Sequence, residues 1–318
     1  MIQISKVKVT EDVHFISFSI EDEFSVTFSN LGSAIYGIKF SDKNKNYENV
    51  TLIPDNPLEW IKERTYSGAV VAPLAGRYHP RHTSLEQNRA PLHFHGGTAG
   101  YDKQLWRYTI QQTEDTAQLI FSFSDRKNQL EAEVCYSLTL SKQLTMEITA
   151  RTERTAFFNP TNHIYFNLNG NLFDSVESHS LYLDSTAYYL ENEQKLISGL
   201  SSIPTNSQWD FTQPTGKSLS NLAAYGGLDT TFKLGEKKEG LIRHKKNGRA
   251  VRIKTTLPAA VIFTFNQEQP AFSIDGRCYP RYAGITFETQ LPANDLEAAL
   301  ITIDKPYYAK TSYTFLHI

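Results

Sequence analysis

One large antiparallel β domain is the architecture this sequence predicts, and three observations carry it. Apolar and polar residues alternate with period two in stretch after stretch, the pattern of strands with one buried face. Aromatic residues make up 12% of the chain, with 19 Phe and 17 Tyr, a bias toward side chains that suit a pleated surface. Helix signals are few, and no Gly/Ser-rich or Pro-rich linker, low-complexity tract or internal repeat divides the 318 residues, so 1–318 reads as a single domain.

In order along the chain, FSVTFS places Phe24, Val26 and Phe28 on one face and Ser25, Thr27 and Ser29 on the other. The best helix signal is DNPLEWIKER, where Asn56 can cap, Pro57 suits the first helical position and Glu59 can reach back to the cap. From Ala132, the residues Val134, Tyr136, Leu138 and Leu140 share a phase. A break at Ser141–Lys142–Gln143 then leads to Leu144, Met146, Ile148 and Ala150, which reads as a hairpin. A second hairpin is expected at Asn247-Gly248, a dipeptide that accepts positive φ, between LIRHKK and RAVRIK.

The charge balance removes whole classes of partner. With 32 Lys+Arg against 34 Asp+Glu, net charge is −2, and no basic run offers a track for a nucleic acid or an anionic membrane. The N-terminal MIQISKVKVTEDVHF alternates where a signal peptide needs a continuous apolar core, and no run approaches 18 apolar residues, so neither a leader nor a membrane span is expected. Two cysteines, Cys135 and Cys278, form no disulfide framework or metal-ligand spacing, which fits a reduced, cytoplasmic protein.

Strand alternation also groups the reactive side chains. In LHFHGG, His93 and His95 are expected to project one way and Phe94 the other. In TNHIYFNL, His163, Tyr165 and Asn167 share a face opposite Ile164, Phe166 and Leu168; in GITFETQL, Glu288 shares one with Thr286 and Gln290, opposite Ile285 and Phe287. Two imidazoles and a carboxylate can therefore meet in one polar pocket. Each also has an ordinary alternative: Glu288 as a solvated or salt-bridged surface acid, His163 as a structural imidazole, the glycines after His95 as a turn. The His93-x-His95 spacing can ligate zinc or iron, but the following GGTAGYD brings no acid before Asp102, so no metal is expected. No G-x-S-x-G elbow, phosphate loop or dinucleotide turn occurs.

LHFHGG with the following YDKQLWRY, then TNHIYFNLNG, GLDTTFKL and GITFETQLP in that order, resembles the aldose 1-epimerase (galactose mutarotase) family over nearly the whole chain. The resemblance implies a large antiparallel β-sandwich of the galactose mutarotase-like kind with a sugar cleft in its concave face. It also implies a monosaccharide substrate, no cofactor, Glu288 as general base on the anomeric hydroxyl and His163 as general acid to the ring oxygen. Arg77, His95 and Asp229 are then the sugar-positioning residues. Opening a hemiacetal requires these types of group, since one proton leaves the C1 hydroxyl while another reaches the ring oxygen. On this assignment Glu288 is expected to rest ionised and His163 protonated. The chain departs from the family pattern at Gly76, Phe94 and Val261. Two rivals on the same fold are a non-catalytic carbohydrate-binding protein and a hexose-6-phosphate 1-epimerase, for which Arg77, Arg81, Arg89, Arg277 and Arg281 supply candidate cations; a metal-dependent β-barrel enzyme is a third.

Overall fold

The computed structural model describes residues 1–53, 56–62, 66–79, 92–268, 273–274, 276–293 and 295–318. The expected alternation organises three large antiparallel sheets. A sheet of nine strands runs in the order Lys217–Ser218, Ser180–Leu183, Glu239–His244, Arg249–Thr255, Tyr307–His317, Gln143–Thr152, Leu130–Thr139, Thr116–Asp125 and Arg107–Gln112. A second sheet takes the first five strands in sequence, Gln3–Lys8 through Tyr47–Asn49. The third, of five strands, has the order Ile197–Ser202, Ser185–Glu191, Asp229–Leu234, Ala259–Phe263 and Glu288–Gln290.

The two smaller sheets pack on the large one through the phases read from sequence. Phe24 and Phe40 close on Phe315 with ring centroids 4.8 and 5.6 Å apart, and Phe28 lies 4.9 Å from Tyr136. One apolar cluster draws on residues from Ile2 to Phe315 and fills the space between the sheets. Burial of this kind, at roughly 25 cal/mol per Å² of apolar surface, supplies the main driving force for the assembly. The strand Glu288–Gln290 is seated by Thr289, whose hydroxyl lies 2.8 Å from that of Thr311 on the large sheet, so Glu288 and Gln290 face away from it.

Both hairpins form. Leu138 pairs with Leu144 across the first, and His244 with Arg249 across the second. In the second, the positive φ falls on Gly248 (φ 79°), while Asn247 keeps an ordinary backbone and donates its amide to the carbonyl of Leu168. The helix runs Pro57–Lys62, with Asn56 Oδ1 accepting from the Leu58 N–H at 2.9 Å and Trp60 buried beneath it. Among the described residues, no helix is long and apolar enough to cross a membrane.

Candidate active site

The inner face of the third sheet forms the floor of a cleft of about 420 Å³, a size within the ~300–1,000 Å³ range of small-molecule sites. Its floor follows from period two. Asp229 and Thr231, Val261 and Phe263, and Glu288 and Gln290 are each an i, i+2 pair on one face of adjacent strands, with Thr231 opposite Val261 and Val261 opposite Glu288. Short two-stranded ladders supply the wall. Tyr165–Phe166 pairs with Ile285–Thr286, bringing His163 and Tyr165 over Glu288, and Arg77–Tyr78 pairs with His93–Phe94, bringing Arg77 and His95 to the same wall, the His95 ring 5.7 Å from that of His163.

All five sequence-predicted residues, Arg77, His95, His163, Asp229 and Glu288, therefore line one cleft. His163 Nε2 lies 3.5 Å from Glu288 Oε1, with both side chains almost wholly buried. The backbone at His163 is pinned on both sides, its N–H donating to Ala69 O at 3.1 Å and its carbonyl accepting from Gly68 N–H at 2.9 Å. Gly68 has φ 67°, and a Cβ there would sit 1.8 Å from the carbonyl oxygen of Ile35, so only glycine fits.

His95 is oriented by the residue that departs from the family pattern. Gly76 (φ 89°) donates its N–H to His95 Nδ1 at 3.1 Å and accepts from the His95 N–H at 3.0 Å. An Nδ1 that accepts leaves the neutral ring's proton on Nε2, so His95 is fixed as an Nε2–H donor. Arg77 lies with its guanidinium carbon 5.0 Å from the centre of the Phe94 ring, which makes Phe94 its platform.

The expected pairing of His93 with His95 does not hold. The strand ends at Phe94, and His95 takes φ 46°, which breaks the alternation; Phe94 and His95 both line the cleft while His93 is fully buried and forms no part of its wall. The two imidazoles therefore do not form a ligand pair on one face. Asn167 also leaves the group predicted for it. The strand is only Tyr165–Phe166, and beyond it Asn167 turns to donate to the carbonyls of Asp174 and Ala283. Residues that the sequence reading did not single out complete the lining, chiefly Tyr66, Phe263 and Glu191. Tyr66 (φ 63°) stands with its ring 4.7 Å from that of His95 and 6.0 Å from that of His163, a placement that no strand pattern announces.

Burial dominates the electrostatics. It raises Glu288 to about 8, opposed by the Thr286 hydroxyl and Arg77 and reinforced by Asp229. It lowers His163 to about 4, opposed by Asp229 and Asp102. Burial thus works against the resting charges expected from sequence and favours the neutral form of each group when no sugar is bound, because neither charge is repaid for lost water. The ion-pair form contains the same number of protons, one shifted from Glu288 to His163.

An acid and a base held 3.5 Å apart suit a substrate whose two reacting oxygens are bonded to one carbon, as the hydroxyl and ring oxygens at C1 of a pyranose are. The aldose 1-epimerase family model matches residues 15–306. The chain belongs to the aldose 1-epimerase family. As an aldose 1-epimerase it is an isomerase with a monosaccharide substrate. It is 28% identical to the galactose mutarotase of Mus musculus, over 85% of this chain and 83% of that protein. It is 29% identical to the aldose 1-epimerase of Streptococcus thermophilus, over 65% of this chain and 63% of that one. The fold superimposes on the crystal structure of galactose 1-epimerase from Lactobacillus acidophilus with a TM-score of 0.86, at 23% identity, covering 100% of this chain and 99% of that one.

Proposed function

We propose that this epimerase interconverts the α and β anomers of a free hexose such as galactose or glucose, with Glu288 as general base, His163 as general acid and Arg77, His95 and Asp229 as sugar-binding residues. The observation that carries the reading is the 3.5 Å approach of His163 Nε2 to Glu288 Oε1 in a cleft large enough for a sugar. The carboxylate removes the C1 hydroxyl proton while the imidazolium protonates the ring oxygen. The C1–C2 bond of the open aldehyde then rotates, and the ring recloses with the roles reversed. Proton transfers alone complete the cycle. Thr286 and Arg77 favour the carboxylate, and Asp229 favours the imidazolium, so the neutral resting pair is poised between its two tautomers.

A free sugar fits better than a 6-phosphate. Of the arginines considered for a phosphate, Arg77 lines the cleft but lies over Phe94 and acts on Glu288 at the reacting end, Arg277 stacks 4.3 Å over Phe173, Arg281 bonds Asn266 O and the Tyr282 hydroxyl, and Arg81 and Arg89 lie outside the described residues. Lys195 enters the cleft wall already paired at 3.4 Å with Glu191, beside Asp229. Polarimetry of freshly dissolved α-galactose, α-glucose and their 6-phosphates is the test. Turnover of the free sugars at least tenfold above the phosphates supports the reading; the opposite ranking replaces it, and binding without turnover makes the chain a sugar-binding protein. The continuous apolar cluster supports 1–318 as one domain, and two unpaired cysteines support a cytoplasmic setting.

The shifted pKa values set a pH profile. Below about 4, His163 gains a proton while Glu288 keeps its own, and no base remains; above about 8, Glu288 has lost its proton beside a neutral imidazole, and no acid remains. Between these limits the pair holds a constant number of protons, so kcat/KM should be flat, with the acidic limb belonging to His163 and the basic limb to Glu288. A profile whose acidic limb lies near 6.5, the ordinary histidine value, would show that burial does not govern the pair.

Arg77→Ala and Asp229→Ala are expected to leave the fold intact and to lower kcat/KM by roughly ten- to a hundredfold each, the effect of losing one charged hydrogen bond. Unchanged kinetics in both variants would remove these residues from sugar recognition.

A further inference from the structure

We propose that Thr286 is a positioning residue for the reaction: its hydroxyl occupies Glu288 Oε1 and thereby assigns the transferable proton to Oε2. The proposal rests on Glu288 being the general base. Thr286 Oγ1 accepts from the Phe263 N–H at 3.2 Å and lies 2.8 Å from Glu288 Oε1. With a lone pair engaged by a backbone donor, the single hydroxyl proton is directed at the carboxyl group. The bond therefore runs from Thr286 to Oε1. A protonated Glu288 still accepts through Oε1, which places its own proton on Oε2. The side chain that must take a proton from the sugar and return it is thus locked in rotation, with one oxygen anchored and the other presented.

On this strand, buried on both faces, the hydroxyl is shared between the Phe263 N–H and Glu288. Thr286 is fully buried, and a valine would keep its shape while leaving both the Phe263 N–H and Glu288 Oε1 without this partner, whereas a serine keeps both bonds. The hydroxyl finds one donor and one acceptor, and the acceptor is the residue read as the base. Because Oε1 is also the oxygen 3.5 Å from His163 Nε2, Thr286 and His163 both hold that end of the carboxyl. The charged and titratable groups around Glu288 come from three further elements: His163 and Tyr165 above it, Asp229 on the sheet floor and Arg77 from its short two-stranded ladder. Thr286 adds no charge, so replacing it alters the carboxyl group without changing the charge balance.

Thr286→Val and Thr286→Ser, assayed by polarimetry on galactose or glucose across pH, test the proposal. The valine variant should lose about ten- to thirtyfold in kcat with KM changed by less than about threefold. Its basic limb should move up by about one pH unit, because a bond that favours the ionised carboxylate is gone. The serine variant, which keeps the hydroxyl, should recover kcat to within about threefold and return the limb to its original place. Wild-type kcat and limb position in Thr286→Val, or equal impairment of both variants, would overturn it. Should Thr286→Val fail to fold, the smaller Thr286→Ala is read by the same limb shift. Glu288→Gln in the same assay separates the two levels: an inactive Glu288→Gln beside a normal Thr286→Val sinks only the positioning role, whereas an active Glu288→Gln sinks the base assignment and the role of Thr286 with it.

Discussion

Glu288→Gln and His163→Asn should each lower kcat by roughly 10²–10⁴-fold, the usual contribution of a positioned general acid or base. Both replacements are close in shape and neutral, the form that burial favours for each native group, so neither introduces a buried charge. The loss should therefore fall on turnover and not on folding, and circular dichroism should report the same β structure for both. The double variant should lose less than the product of the two single losses. Once either member is gone, the remaining one has no counterpart at the other oxygen of C1, and residual rate comes from sugar binding alone. Polarimetry of a freshly dissolved anomer checks all three. A folded Glu288→Gln with near-wild-type mutarotation on its best sugar would show that another group is the base.

The grouping of Glu288 with Gln290 was legible because both lie on one short strand, where period two alone fixes the face, and His163 keeps the phase of Tyr165 although it lies just before that residue's strand. Legibility ended where strand geometry did. His95 and Tyr66 reach the cleft through positive φ values of 46° and 63°, and alternation counts such residues onto the wrong face or gives them none. The resting charges were not legible for a different reason. Sequence supplies a carboxylate and an imidazole, but their protonation depends on how much water the fold removes, and both are buried here. The role of Thr286 was half visible: its shared face with Glu288 could be read, whereas the Phe263 N–H that orients its hydroxyl belongs to a strand more than twenty residues away. Arg249 had a readable signal that went unused. In RAVRIK it keeps the phase of Val251 and Ile253, both buried, which is an unusual place for a guanidinium.

Arg249→Met should destabilise the protein by about 3–5 kcal/mol, the cost of leaving several buried backbone carbonyls without their donor at about 1–3 kcal/mol each. Arg249 is fully buried and donates to five acceptors: Phe40 O at 3.0 Å, Asn46 O at 2.7 Å, Leu168 O at 3.3 Å, Asn169 O at 3.1 Å and Glu48 Oε2 at 2.9 Å. The Glu48 contact contributes least, since that carboxylate is about half exposed and screened by water. The backbone carbonyls decide the matter. They belong to the end of the 34–41 strand, the following turn and the loop beyond Phe166, so one planar fork joins the first sheet and the His163 segment to the large sheet. Methionine fills much of the volume but donates nothing, and Asn247, which also donates to Leu168 O and Asn169 O, satisfies only part of what is left. Lysine retains the charge without the fork and should recover only a minority of the loss. Urea unfolding of wild type, Arg249→Met and Arg249→Lys measures these differences, and in a thermal scan the methionine variant should melt on the order of 10 °C lower. A methionine variant within about 1 kcal/mol of wild type would mean that water or relaxed backbone replaces the guanidinium at little cost, and the network would then not be what joins the three segments.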